Sequence, residues 1–168
     1  MIKGNWAMQV YARNKHASAI DLEDGLVLAR CCVEDTFFAA DVELVVKIPE
    51  MEIVSAKGDI RRAFHDECLQ AVGLLQRVEG LNIATGLIRN VNGLVGGSGG
   101  CHRLADMVLE ACDQVILRFT ADGLRKALDL GVLDRPELLK EHARTNPRMI
   151  GSCIAFAKGS PLLEGVEP

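Results

Sequence analysis

Two cysteines stand where the pattern of the chain turns from loop to helix. One is Cys68, in Phe64-His65-Asp66-Glu67-Cys68-Leu69-Gln70, and the other is Cys101, in Gly99-Gly100-Cys101-His102-Arg103-Leu104. Unpaired N–H groups and the dipole at a helix start favour an anion, so each position is expected to stabilise a thiolate. A thiolate serves metal binding, persulfide chemistry and nucleophilic attack alike. His65 and His102 lie beside these cysteines and could act as ligand or base. With no Cys-x-x-Cys and no His-x-x-x-His, there is no zinc-finger signature.

The other four cysteines carry less. Cys31 and Cys32 are adjacent on an apolar, β-rich run, so they must point to opposite faces and are not expected to share a metal. Cys112 reads as helix packing and Cys153 as tail packing. The glycine-rich segment 96–100 has no Gly-Lys-Ser/Thr after it and lacks the third glycine of a dinucleotide fingerprint. Its expected job is to let the backbone approach the Cys101 helix closely.

The elements that must position these groups begin at Asp24-Gly25. Residues 26–33 read as a first strand, closed by the turn Glu34-Asp35-Thr36. Residues 41–48 alternate, with Val42, Leu44, Val46 and Ile48 on one face and Glu43 and Lys47 on the other. Pro49-Glu50 ends that strand, and 52–57 forms a third. Short connections make an antiparallel meander of three strands the expected sheet. The period then changes to helical at Cys68, Ala71, Val72 and Leu75, with Gly80 as a stop signal. Residues 81–94 are ambiguous. The strongest helix runs over 102–119 with the stripe Leu104, Val108, Ala111, Val115 and Phe119. Two short helices are expected over 123–130 and 136–143, the second with Pro136 in its first turn.

Sheet first and helices afterwards is the α+β pattern, with the helices on one sheet face. At 168 residues a single domain is expected: an N-terminal arm 1–23, a core 24–118 and a helical extension with tail over 119–168. In the arm, 8–12 could be a short edge strand and 13–16 a turn, with Trp6 and Tyr11 packing it down. A net charge of −4 leaves no footprint for nucleic acid, and no basic amphipathic or long apolar stretch calls for a membrane. Residues 1–6 carry no secretory apolar run, so a cytoplasmic compartment and reduced thiols are expected.

Several of these residues together resemble a bacterial domain family of unknown function. They are Asp24-Gly25-Leu26, the Asp35-Thr36 turn, the 42–48 strand, Cys68 and the Gly100-Cys101 helix start. That family's hallmark is a Gly-Cys-Thr-His-Leu segment opening a helix; here Arg103 holds the histidine position. More distantly, the order of strands and helix-start cysteines resembles the NifU/IscU-type iron–sulfur scaffold and its SufE-like relatives. That resemblance implies a three-stranded meander on helices, with zinc, iron or an iron–sulfur species held at one end. It implies Cys68 and Cys101 as ligands and His102 and Asp35 as auxiliary ligands. The scaffold's first cysteine has no counterpart here, Asp35 and Asp41 being the nearest candidates. Three readings stay open: a thiol-centred metal site, an enzyme with Cys101 or Cys68 as nucleophile, and a non-catalytic, homo-oligomeric interaction module.

Overall fold

The computed structural model describes residues 9–129, 135–145 and 149–166. They fold as α+β: four strands, β1 (Arg13–Asp21), β2 (Leu26–Asp35), β3 (Ala39–Lys47) and β4 (Glu52–Arg62), then a 3-10 helix (Asp66–Val78) and helices α1 (Leu87–Leu94), α2 (His102–Asp129) and α3 (Arg135–Thr145). The chain packs as two compact units, 1–117 and 118–168. In the second, α3 packs on the 3-10 turn Pro161–Leu163, and Ala143 and Phe156 are buried. No helix among the described residues is long and apolar enough to cross a membrane.

The sheet is an open antiparallel meander in the order β1-β2-β3-β4, so it has four strands where the sequence reading expects three. The added strand is Arg13–Asp21, whose first residues read as a turn. Its sequence hides it for a physical reason. β1 is an edge strand and only Ala17, Ser18 and Ala19 are partly buried, so no apolar alternation marks it. The signal that could have found it is Asp24-Gly25. Both residues have positive φ (58° and 70°), the geometry of the tight turns that join hairpin strands. Residues 9–12 join no ladder, and Trp6 and Met8 lie outside the described residues.

One sheet face is mixed, carrying the Arg30–Glu43 and Arg61–Asp41 ion pairs beside the partly buried Leu26, Leu28 and Val45. The other face carries Val27, Ala29, Cys31 and Val33 of β2 and Val42, Leu44 and Val46 of β3, all buried. Cys31 and Cys32 do point opposite ways, the first buried and the second half-buried. The α2 stripe Leu104, Val108, Ala111 and Val115 joins the same core, but it stops there, since Phe119 is 43% exposed. α2 does not end at 119; it continues to Asp129 and takes in most of the segment expected as a separate helix over 123–130, of which 130 lies outside the described residues.

The helix after β4 has a three-residue turn. Ala71, Val72, Leu75 and Val78 pack on the core, and Val72, Leu75 and Val78 are spaced by three, the 3-10 period on which i and i+3 eclipse. His65 caps it: Nδ1 accepts from the Glu67 amide at 3.2 Å.

Candidate functional site

Asp35 closes β2, and the chain must reverse there to enter β3. Its Oδ1 accepts from the amides of Phe37 (2.9 Å) and Phe38 (2.8 Å), which folds the reversal around the carboxylate. Oδ2 then collects side chains from distant parts of the chain: Tyr11 Oη at 2.9 Å, Arg13 Nε at 3.1 Å and Nη2 at 2.9 Å, and Arg103 Nη1 at 2.9 Å. Arg62 Nη2 donates to the Asp35 carbonyl at 2.8 Å. The Asp35 side chain is fully buried beneath these groups, whereas the Arg13 and Arg103 side chains are 48% and 42% exposed. Burial by itself would raise the carboxyl pKa; the hydrogen bonds from Phe37, Arg13, Tyr11 and Phe38 outweigh it and hold Asp35 well below the usual carboxylate range.

Aromatic rings flank this clasp. Arg103 lies over Phe38, 5.0 Å from the ring centroid, and Arg13 over Tyr11 at 5.7 Å. Tyr11 stacks on Phe37, which meets the largely exposed Phe64 edge-on.

The clasp forms one end of a cleft of about 510 Å³ between β1 and α2. Cys31 and Val33 of β2 form its floor, with Phe38, Met107 and Leu109 as further apolar lining. Arg13 and Lys15 come from the β1 wall and Arg103 from the first turn of α2. Asp106, Glu110 and Asp113 line the α2 wall, at spacings that keep them on one helix side. Lys15 and Glu110 form an ion pair across the cleft. The remaining charges are separated: two arginines sharing one carboxylate at one end, and Asp106 and Asp113 along the helix.

The cysteines fall into three groups. Cys31 at the cleft floor and Cys112 on the core side of α2 are buried, and desolvation pushes their thiols up to about 11 and about 12, so both are protonated packing groups at neutral pH. Cys68 and Cys101 are half-buried free thiols. Cys68 is the third residue of the 3-10 helix, and Cys101 immediately precedes α2 with its amide donating to the Val95 carbonyl at 2.8 Å. Cys153 is exposed, and the amides of Phe156 and Ala155 lower its thiol pKa, a feature the tail-packing reading misses.

Among the described residues, no group of three or more His, Cys, Asp and Glu side chains converges on a point that could hold a metal ion. Of the residues the NifU/IscU-type resemblance implies as ligands, Asp35 has its oxygens committed to the clasp, and His102 is exposed on the first turn of α2. The structure does bring Asp35 to that turn, through Arg103 in the position where the hallmark carries histidine. Asp41 is paired with Arg61 and His65 is a cap. Ser98, within Gly96-Gly97-Ser98-Gly99-Gly100, fits the letters of a nucleophile elbow, but its loop follows α1 and not a strand, so the strand–turn–helix context of an elbow is missing.

Sequence reasoning missed the clasp arginines as a group. Arg13 sits in an apparent turn and Arg62 lies past the expected end of β4; sheet register brings positions 13, 35 and 62 together, and the start of α2 adds Arg103.

A family model described as "Protein of unknown function (DUF2889)" matches residues 3–117, more than half of the chain. No curated protein and no solved structure matches it. The NifU/IscU-type likeness therefore finds no support, and the four-stranded sheet departs from its three-stranded meander.

Proposed function

The chain belongs to this family of unknown function, and from that premise we propose that its domain binds a small zwitterion, a molecule with one carboxylate and one ammonium group, in the β1–α2 cleft. The carrying observation is the pair Arg13 and Arg103, both anchored on buried Asp35 and both partly open to solvent. Two guanidinium groups and one carboxylate leave net positive charge at that end, in a planar, hydrogen-bonding form suited to a ligand carboxylate. Asp106 and Asp113 supply the complementary charge for an ammonium group along the helix, while Glu110 is balanced by Lys15. The cleft volume lies within the range of small-molecule sites, and its apolar floor suits a short aliphatic or aromatic side chain.

The test is calorimetric titration with a panel of L-amino acids, with acetate and ethylammonium as single-charge controls. At least one amino acid is expected to bind more tightly than either control. Asp106→Asn combined with Asp113→Asn is expected to weaken it by roughly tenfold to a hundredfold, the worth of one charge-assisted hydrogen bond. These two residues lie outside the clasp, so the fold stays intact. If no amino acid binds, or acetate binds as well, the proposal fails.

A second reading keeps Cys68 and Cys101 as a thiol site for zinc, iron or an iron–sulfur species. It is favoured by both thiols being free and partly accessible at helix starts. Protein purified without oxygen would then hold about one metal per chain, and Cys68→Ser and Cys101→Ser would each lose it. Equal metal and sulfide content in all three proteins would end this reading.

A further inference from the structure

We infer that the free edge of β1 is a self-association surface, on which a second copy of this chain adds its own β1 antiparallel to the first and joins the two sheets into one of eight strands. The inference stands independently of what the cleft binds.

The two edges of the sheet are handled differently. β4 is protected: its pairing with β3 has two irregularities, and segment 80–83 covers its first residues through Ile53 N to Leu81 O, Gly80 N to Ile53 O and a bridge between Glu52 and Asn82. Among the described residues β1 has neither of these two devices. It pairs with β2 over nine residues without a shift, contains no Gly or Pro, and among the described residues no strand pairs with its other edge.

Backbone parity then selects the register. Around the hairpin Leu22 N donates to Leu26 O, and at the far end Thr36 N donates to Ala12 O. Even-numbered residues of β1 therefore spend their amides and carbonyls on β2, and Arg13, Lys15, Ala17, Ala19 and Asp21 direct theirs away from the sheet. A two-fold pairing centred on Ala17 sets Ala17 against Ala17, Lys15 against Ala19 and Arg13 against Asp21. It matches outward-facing residues only with outward-facing residues. It also places opposite charges at both ends and like charges nowhere, while the small Ala17, Ser18 and Ala19 let the strands approach. The partner's Asp21 would then extend the cleft wall beyond Arg13.

The test is sedimentation velocity of the full chain from low to high micromolar concentration. The expected species is a dimer of twice the 18.2 kDa chain mass, reversible on dilution. Ala17→Pro removes an outward amide without touching the β2 ladder and is expected to give a monomer with unchanged circular dichroism. Independently of that variant, Ala17→Cys is expected to cross-link to its copy on oxidation, because facing residues of such a pair lie within disulfide reach. Ile20→Cys, whose symmetry mate is six residues away along the strand, is expected not to do so. A chain that stays monomeric, a dimer that survives Ala17→Pro, or equal cross-linking at 17 and 20 overturns the inference.

Discussion

Replacing Asp35 by asparagine is expected to cost about 3–5 kcal/mol of folding stability at neutral pH, the range for breaking a buried ion pair by removing one partner. The cost arises from what is left behind. The asparagine carbonyl can still accept from Phe37 and Phe38, so the β2–β3 reversal keeps its amide bonds. Arg13 and Arg103 lose their shared counter-charge and meet a neutral group in a site built for an anion. Asp35→Ala removes the reversal's acceptor as well and should be worse. Urea unfolding of the three proteins measures the series. Its pH dependence has a fixed sign. The Asp35 carboxyl is held below its unfolded value of about 3.9, so its contribution is complete above that pH and is lost as pH falls toward the folded value. The gap between wild type and Asp35→Asn is therefore expected to be widest near neutrality and to narrow below about pH 4. A gap that is constant with pH would show that the carboxylate charge is not the source of the stability.

Gly100→Ala is expected to be the second most damaging change, at about 3 kcal/mol or more, the upper end for overpacking a tight site. A Cβ at Gly100 would stand 2.1 Å from the Val95 carbonyl oxygen and 2.4 Å from that of Gly96. Both obstacles are backbone, so neither can rotate away. The Val95 oxygen also accepts the Cys101 amide that sets the start of α2. Movement there would shift Arg103 out of the clasp and Leu104 out of the core. Gly99→Ala is the control, since a Cβ there meets nothing within 4 Å. Thermal melts in which Gly100→Ala and Gly99→Ala behave alike would refute this account.

Much of the frame was legible because local chemistry decided it. Val42, Leu44 and Val46 alternate since one face of β3 is core, and Asp35-Thr36 marks a turn since an aspartate side chain can hold the amides that follow it. The segment 96–100 read as a close approach, and Gly96 and Gly100 are where a side chain would collide. Three features escaped for different reasons. β1 is an edge strand whose residues are exposed apart from the partly buried Ala17, Ser18 and Ala19, so it carries no apolar period. The helix after β4 packs Ala71, Val72 and Leu75 on the core as its spacing suggests, but it is a 3-10 helix and Val78 belongs to the same set. A separate helix is expected to start at Gly123, and α2 runs through that position instead. The clasp was the least visible, because no residue of it is unusual alone and the side chain nearest in sequence that bonds the Asp35 carboxylate, Arg13, is 22 positions away.

The order of the sheet also bears on how the chain can assemble during synthesis. Every strand pairs with the one made just before it, so the meander can form hairpin by hairpin as residues emerge, without waiting for a distant partner. Asp35 emerges early in that sequence, after Tyr11 and Arg13, which the β1–β2 register brings to it. Its last ligand, Arg103, follows 68 residues later. The nascent sheet thus carries Asp35 paired with Arg13 alone until α2 arrives, and α2 both covers the apolar face and adds the second guanidinium at its end.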